Sequence, residues 1–164
     1  MRGRTLTTAT AFALAFAVGI YAQAPDFSGT WVLDAPPAAD GGGGRGGRGG
    51  GGNPFGQQFM AKQDAKTLTI TRMQGDQTVV LTYNLDGSES KNTVAGRGGP
   101  QEQVSKATWE GNKLTIVTTL DFGGNAVEQR RVLSMEGGNL VIEQTQPGRG
   151  GGEPTTTKLV YKKG

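Results

Sequence analysis

A period-two alternation of branched apolar residues with threonine and charged residues, broken at short intervals by turn chemistry, constrains this chain more than any other feature. It is plain in Leu68-Thr69-Ile70-Thr71, Leu114-Thr115-Ile116-Val117 and Leu140-Val141-Ile142-Glu143. Such runs place one face on a core and the other in water, which is strand chemistry. The breaks at Asp64-Ala65, Gln74-Gly75-Asp76, Asp86-Gly87, Glu110-Gly111-Asn112, Gly123-Gly124-Asn125 and Glu136-Gly137-Gly138 are hairpin signals. The pattern predicts strands near 28–33, 58–63, 67–73, 77–85, 88–94, 102–109, 113–120, 126–135, 139–145 and 155–162. Only Pro54 to Asp64 tolerates a helix as well, and strand is expected there from Gln58.

Many short strands joined in sequence, with no helices to cover a parallel sheet, give an all-β fold. The expected form is an antiparallel up-and-down meander barrel of about 8–10 strands, since closure removes exposed edges. An outer-membrane barrel needs an outward apolar band, whereas the faces opposite the Leu/Ile/Val set carry Thr, Lys, Gln and Glu.

Arg2 and Arg4, the apolar stretch Ala9 to Ile20 and the small-residue set Ala22-Gln23-Ala24 read as a signal peptide over 1–22, cleaved between Ala22 and Ala24. This predicts an exported chain, periplasmic or extracellular, with one domain over 23–164 and no transmembrane span in its mature part. Gly41 to Gly52 contains only Gly and Arg, so the loop 35–57 is expected to be disordered.

The sequence has no cysteine and no histidine. That removes disulfides, the commonest zinc ligand and the base of a nucleophilic triad. Glu89, Glu128 and Glu143 lie on strands, with nothing to bring two of them together as an acid–base pair, and Asp86-Gly87-Ser88-Glu89 lacks the oxygen spacing of a calcium loop. No catalytic residue, no metal site and no cofactor is expected. A net charge of +3 names no partner. Arg45 and Arg48 lack interleaved aromatics, so nucleic acid is not an expected partner.

Alternation points Leu68, Ile70, Val79, Leu81, Tyr83, Leu114, Ile116, Leu133, Leu140, Ile142, Leu159 and Tyr161 inward, and brings Arg72 and Arg131 to the same face. Either arginine is a candidate for a ligand's anionic group, or else a structural cation; for Arg72, near a turn, solvent exposure is the expected alternative. Tyr83 and Tyr161 are ligand hooks or core residues with satisfied hydroxyls. In a meander, successive turns alternate between two poles. One pole then gathers the tight turns with Asp64, Asp86, Glu110 and Glu136, and the other the Gly-Arg loops with Arg45, Arg48, Arg97 and Arg149. Those four arginines form a candidate rim for an anionic ligand or surface.

Gly29-Thr30-Trp31, preceded by Phe27-Ser28, resembles the Gly-x-Trp opening of the calycin group, the lipocalins and fatty-acid-binding proteins. The chain also resembles small exported bacterial proteins that open Phe-Ser-Gly-Thr-Trp. The order of a first strand, a long insertion and a meander ending in Thr157-Lys158-Leu159-Val160-Tyr161 is similar to that of fatty-acid-binding proteins. The resemblance implies a lipocalin-like barrel, structural roles for Gly29 and Trp31, and a basic residue stacked on Trp31, open to either arginine. It departs in the last strand, where Leu159 stands in place of the family's Arg and only Tyr161 matches. The expected function is an exported, non-enzymatic, monomeric carrier of a small apolar or amphipathic ligand. The alternative is an interaction module with a filled barrel, whose Gly/Arg loops contact an anionic surface, polymer or protein.

Overall fold

A computed structural model describes residues 24–34, 53, 55–96, 99–121, 126–148 and 152–164. The expected signal peptide, most of the 35–57 loop, and Arg45, Arg48, Arg97 and Arg149 lie outside the described residues.

Ten strands form one sheet: β1 Gly29–Leu33, β2 Gln58–Gln63, β3 Thr67–Gln74, β4 Gln77–Asn84, β5 Glu89–Gly96, β6 Gly99–Glu110, β7 Lys113–Asp121, β8 Ala126–Glu136, β9 Asn139–Gln146 and β10 Thr155–Lys163. All pairings are antiparallel. The order β4-β3-β2-β1-β10-β9-β8-β7-β6-β5 is a meander that closes through β1 and β10, with Trp31 opposite Lys163. Among the described residues no helix is long and apolar enough to cross a membrane.

The turns hold the register. Gly111 sits at φ 64° between Glu110 and Lys113, which pair across the two-residue loop. A positive φ at the first central position gives the primed turn whose twist matches the flanking strands, and a residue with a Cβ is strained there.

Among the described residues, strands that are neighbours in sequence pair everywhere except between β4 and β5, where no backbone ladder forms. Side chains bridge that seam. Asn92 accepts from the Thr82 N–H at 2.7 Å and donates to the Thr82 carbonyl at 3.0 Å, so its amide stands in for a missing peptide. Ser90 Oγ accepts from the Asn84 N–H at 2.7 Å.

The residues that alternation points inward are buried, and the largest of them fill the core with Phe27, Trp31, Phe55 and Phe59. The loop expected to be disordered to residue 57 packs before its end, because Phe55 is fully buried inside the barrel.

Candidate functional site

The interior is graded along the barrel axis. At the pole with the tight turns it is apolar and closed. Trp31 donates its indole N–H to the Phe27 carbonyl at 2.8 Å, and Phe27 stacks on Trp109 with centroids 5.7 Å apart. Gln63 fastens the segment before β1, accepting from the Phe27 N–H and donating to the Pro25 carbonyl, each at 3.0 Å. The cation above Trp31 is Lys163, with Nζ 5.9 Å from the ring, and neither arginine takes that place. Gly29, at φ 143°, lets the Lys163 chain pass, since a Cβ there would lie 3.1 Å from Lys163 Cε.

Toward the opposite pole the inward positions turn polar. Arg131 is 8% exposed and held by neutral acceptors only: Nε donates to Gln144 Oε1 at 3.3 Å, Nη1 to Thr118 Oγ1 at 3.3 Å and Nη2 to Gln129 Oε1 at 2.9 Å. Its guanidinium lies 5.9 Å from the Phe55 ring centroid. Ser105 and Thr118 share a buried hydroxyl bond at 2.9 Å. Arg72 is half-buried, not solvent-exposed, because strand β3 continues through Gln74 and keeps it on the inner face. Its Nη2 donates to Gln74 Oε1 at 3.1 Å, while its Nε is buried with no hydrogen-bond partner.

The two guanidiniums line one cavity of about 180 Å³, together with Gln74, Leu81, Tyr83, Val94, Ala95 and Gln103. It lies beneath the β4–β5 seam, and the exposed Gln74 and Ala95 mark where it meets solvent. Burial lowers the proton affinity of both arginines, and for Arg131 the neighbouring Arg72 charge adds to this. A guanidinium holds its proton regardless, so the cost of burial stays as unneutralised charge.

Nothing acidic answers that charge among the described residues. The ion pairs Lys91–Glu102, Lys106–Glu89, Arg130–Glu110, Lys158–Glu136 and Lys162–Asp34 all lie on the outer surface. Of the carboxylates whose burial is described, only Glu143 is not exposed, and it is half-buried between inward Ile142 and Gln144, hence on the outer face. Among the described residues no cluster of acidic groups could hold a metal ion.

Arg72, Tyr83 and Arg131 thus meet at one cavity, whereas Tyr161 does not line it. Tyr161 packs edge-on to Phe59, with centroids 5.0 Å apart. Its hydroxyl bonds to Asn53 Oδ1 and donates to the Gly56 carbonyl at 3.1 Å, tying down the segment that carries Phe55. Burial raises the proton affinity of both tyrosinates. Sequence reasoning missed Phe55, and it missed Gln74, Gln103, Gln129 and Gln144, although alternation from Arg131 and its register partner Gln144 points the same way.

No family model matches the chain, and no curated protein matches it by sequence. Among solved structures it is similar to the zebrafish ileal bile acid-binding protein in complex with cholic acid. The TM-score is 0.56 at 20% identity, over 84% of this chain and 98% of that one. The fold is calycin-like. Its form is the ten-stranded meander of the fatty-acid- and bile-acid-binding barrels.

Proposed function

We infer that this chain is an exported, non-enzymatic binding protein that holds one small amphipathic or anionic molecule inside its barrel. The observation that carries the reading is the pair Arg72 and Arg131 on one interior cavity, with no described carboxylate facing either. A buried charge without a counter-ion costs several kcal/mol, and a ligand's anionic group removes that cost. The similarity to a bile acid-binding barrel supports an interior site, and the signal-like stretch from Arg2 to Ala24 supports export. Native mass spectrometry of protein purified from its own host tests this. A stoichiometric adduct, lost when Arg72 and Arg131 are both replaced by Met, is expected. Protein that emerges free of adduct, and binds nothing from a panel of anions and amphiphiles, overturns the reading.

The largely filled interior favours a second reading, in which the barrel is a scaffold and its Gly/Arg loops contact an anionic polymer. Binding of that kind falls steeply between 50 and 300 mM salt, whereas an interior site is shielded and falls little.

A further inference from the structure

In a barrel that carries a long amphiphile, the empty space is apolar and the charge sits at one end of it. Here the apolar space is occupied. Phe55 and Phe59 are buried with ring centroids 5.2 Å apart, and Tyr161 closes against Phe59. What is left empty is the polar part. Its volume of about 180 Å³ lies below the roughly 300–1,000 Å³ of sites for drug-sized ligands. It is closer to the roughly 150 Å³ void that accommodates a single benzene.

The charge is as informative as the size. Arg131 and Arg72 together place two positive charges on this volume. The neutral acceptors around Arg131 orient it without neutralising it. Among the described residues Arg72 Nε has no partner, while Gln74 Oε1 accepts from Nη2 of the same guanidinium. A buried charged donor without an acceptor, on a residue that lines the cavity, leaves one more charge-assisted hydrogen bond to be made with an oxygen acceptor. Gln103 and Tyr83 line the same space and suit the remaining polar atoms of such a ligand.

Resting on the ligand-binding reading above, we propose that the interior site takes a compact oxyanion with two negative charges, of the size of inorganic phosphate or a short dicarboxylate, rather than a long-chain amphiphile. Arg72 and Arg131 each bind it through charge-assisted hydrogen bonds, and Phe55, buried with its ring centroid 5.9 Å from the Arg131 guanidinium, fills apolar interior that a tail would need.

The test is calorimetric titration of the whole mature chain, refolded from denaturant to remove bound material, with inorganic phosphate, succinate, palmitate and cholate. Saturable binding of phosphate or succinate is expected, and which of the two binds tells a phosphoryl from a dicarboxylate ligand. Palmitate and cholate are expected to bind at least about 10-fold more weakly, and raising salt from 50 to 300 mM to change the affinity for the compact anion by less than about 5-fold. Arg72→Met is expected to weaken binding about 10- to 100-fold and Arg72→Lys by less, because the lysine keeps the charge but not the fork. Unfolding midpoints of both variants confirm that they fold, and Arg72→Lys carries the test if Arg72→Met does not. Tight binding of palmitate or cholate with none of either compact anion overturns the compact-anion proposal and leaves the ligand-binding reading standing. Binding of none of the four sinks the proposal as well, and the adduct experiment then decides the broader reading. Compact-anion binding that both Arg72 variants leave unchanged refutes the site.

Discussion

Replacing Asn92 by Ala is expected to loosen the one seam that the backbone leaves open. Asn92 is 6% exposed and satisfies both the N–H and the carbonyl of Thr82, at 2.7 and 3.0 Å. Alanine removes both bonds. A hydrogen bond is worth about 0.5–1.5 kcal/mol net, and a buried group left without a partner costs about 1–3 kcal/mol. Thr82 is only half-buried, so water recovers part of the loss, and the expected destabilisation is about 2 kcal/mol. For a domain of this size that lowers the melting temperature by about 4–8 °C. Urea denaturation reads the first quantity, and amide exchange reads its location. The Thr82 amide should lose protection by one to two orders of magnitude more than amides of the β7–β8 ladder. Asn92→Asp sharpens the test, because the carboxylate keeps the acceptor but faces the Thr82 carbonyl. Burial and that contact raise its pKa in the folded state. The variant is therefore closest to wild type below the unfolded carboxylate pKa and loses stability as pH rises through the raised value. A loss under about 0.5 kcal/mol for Asn92→Ala, with unchanged Thr82 exchange, would refute the idea that this side chain holds the seam.

Gly29→Ala should cost roughly 1–3 kcal/mol in urea denaturation, because φ 143° disfavours any Cβ and the added carbon meets Lys163 Cε at 3.1 Å. Phe55→Ala should destabilise by roughly 3 kcal/mol and, by emptying apolar interior beside Arg131, raise the uptake of a fluorescent long-chain fatty acid relative to wild type. The Asp64 carboxylate accepts from the N–H groups of Lys66 and Thr67 and from the Thr67 hydroxyl, and these bonds lower its pKa. Its contribution is present above the unfolded carboxylate pKa and is lost as pH falls through the lowered folded value, so Asp64→Asn should flatten the acid limb of the stability curve below the unfolded carboxylate pKa.

Alternation made the strands legible because it reports which face a residue takes. The run read as 67–73 extends over Thr67–Gln74, and Arg72 and Arg131 were placed on the inner face by the same count. The hairpin between β5 and β6 runs further than expected, with Gly96 paired to Gly99 and Ala95 to Pro100. Glycine and proline there read as turn, but on the outermost rungs of a hairpin they complete the ladder. Period two reports nothing about lateral pairing, so the β4–β5 seam was invisible, although Ser90 and Asn92 are polar residues on inward positions. Phe55 was missed because it follows a glycine-rich run in sequence, while its burial depends on Tyr161, which is distant in the chain. The cation over Trp31 was sought on β3 or β8, but register sets Lys163 directly across from Trp31 on β10.

The distribution of polarity inside the barrel decides what kind of recognition it can perform. Where the empty volume is apolar, affinity grows with the ligand's buried area and selectivity among tails is modest. Here the volume next to Arg72 and Arg131 is small and polar, so area contributes little. The best small ligands reach about 1.5 kcal/mol per heavy atom, which from the roughly five atoms of phosphate to the roughly eight of succinate sets a ceiling of about 7–12 kcal/mol, enough for binding near micromolar or tighter. Most of that must come from neutralising the two guanidiniums. A neutral isostere of the same shape would leave both charges unpaired. On the compact-anion proposal, rejection of uncharged analogues should therefore be stronger than any discrimination by size, and the stability that Arg131 costs the empty barrel would return as selectivity in a filled one.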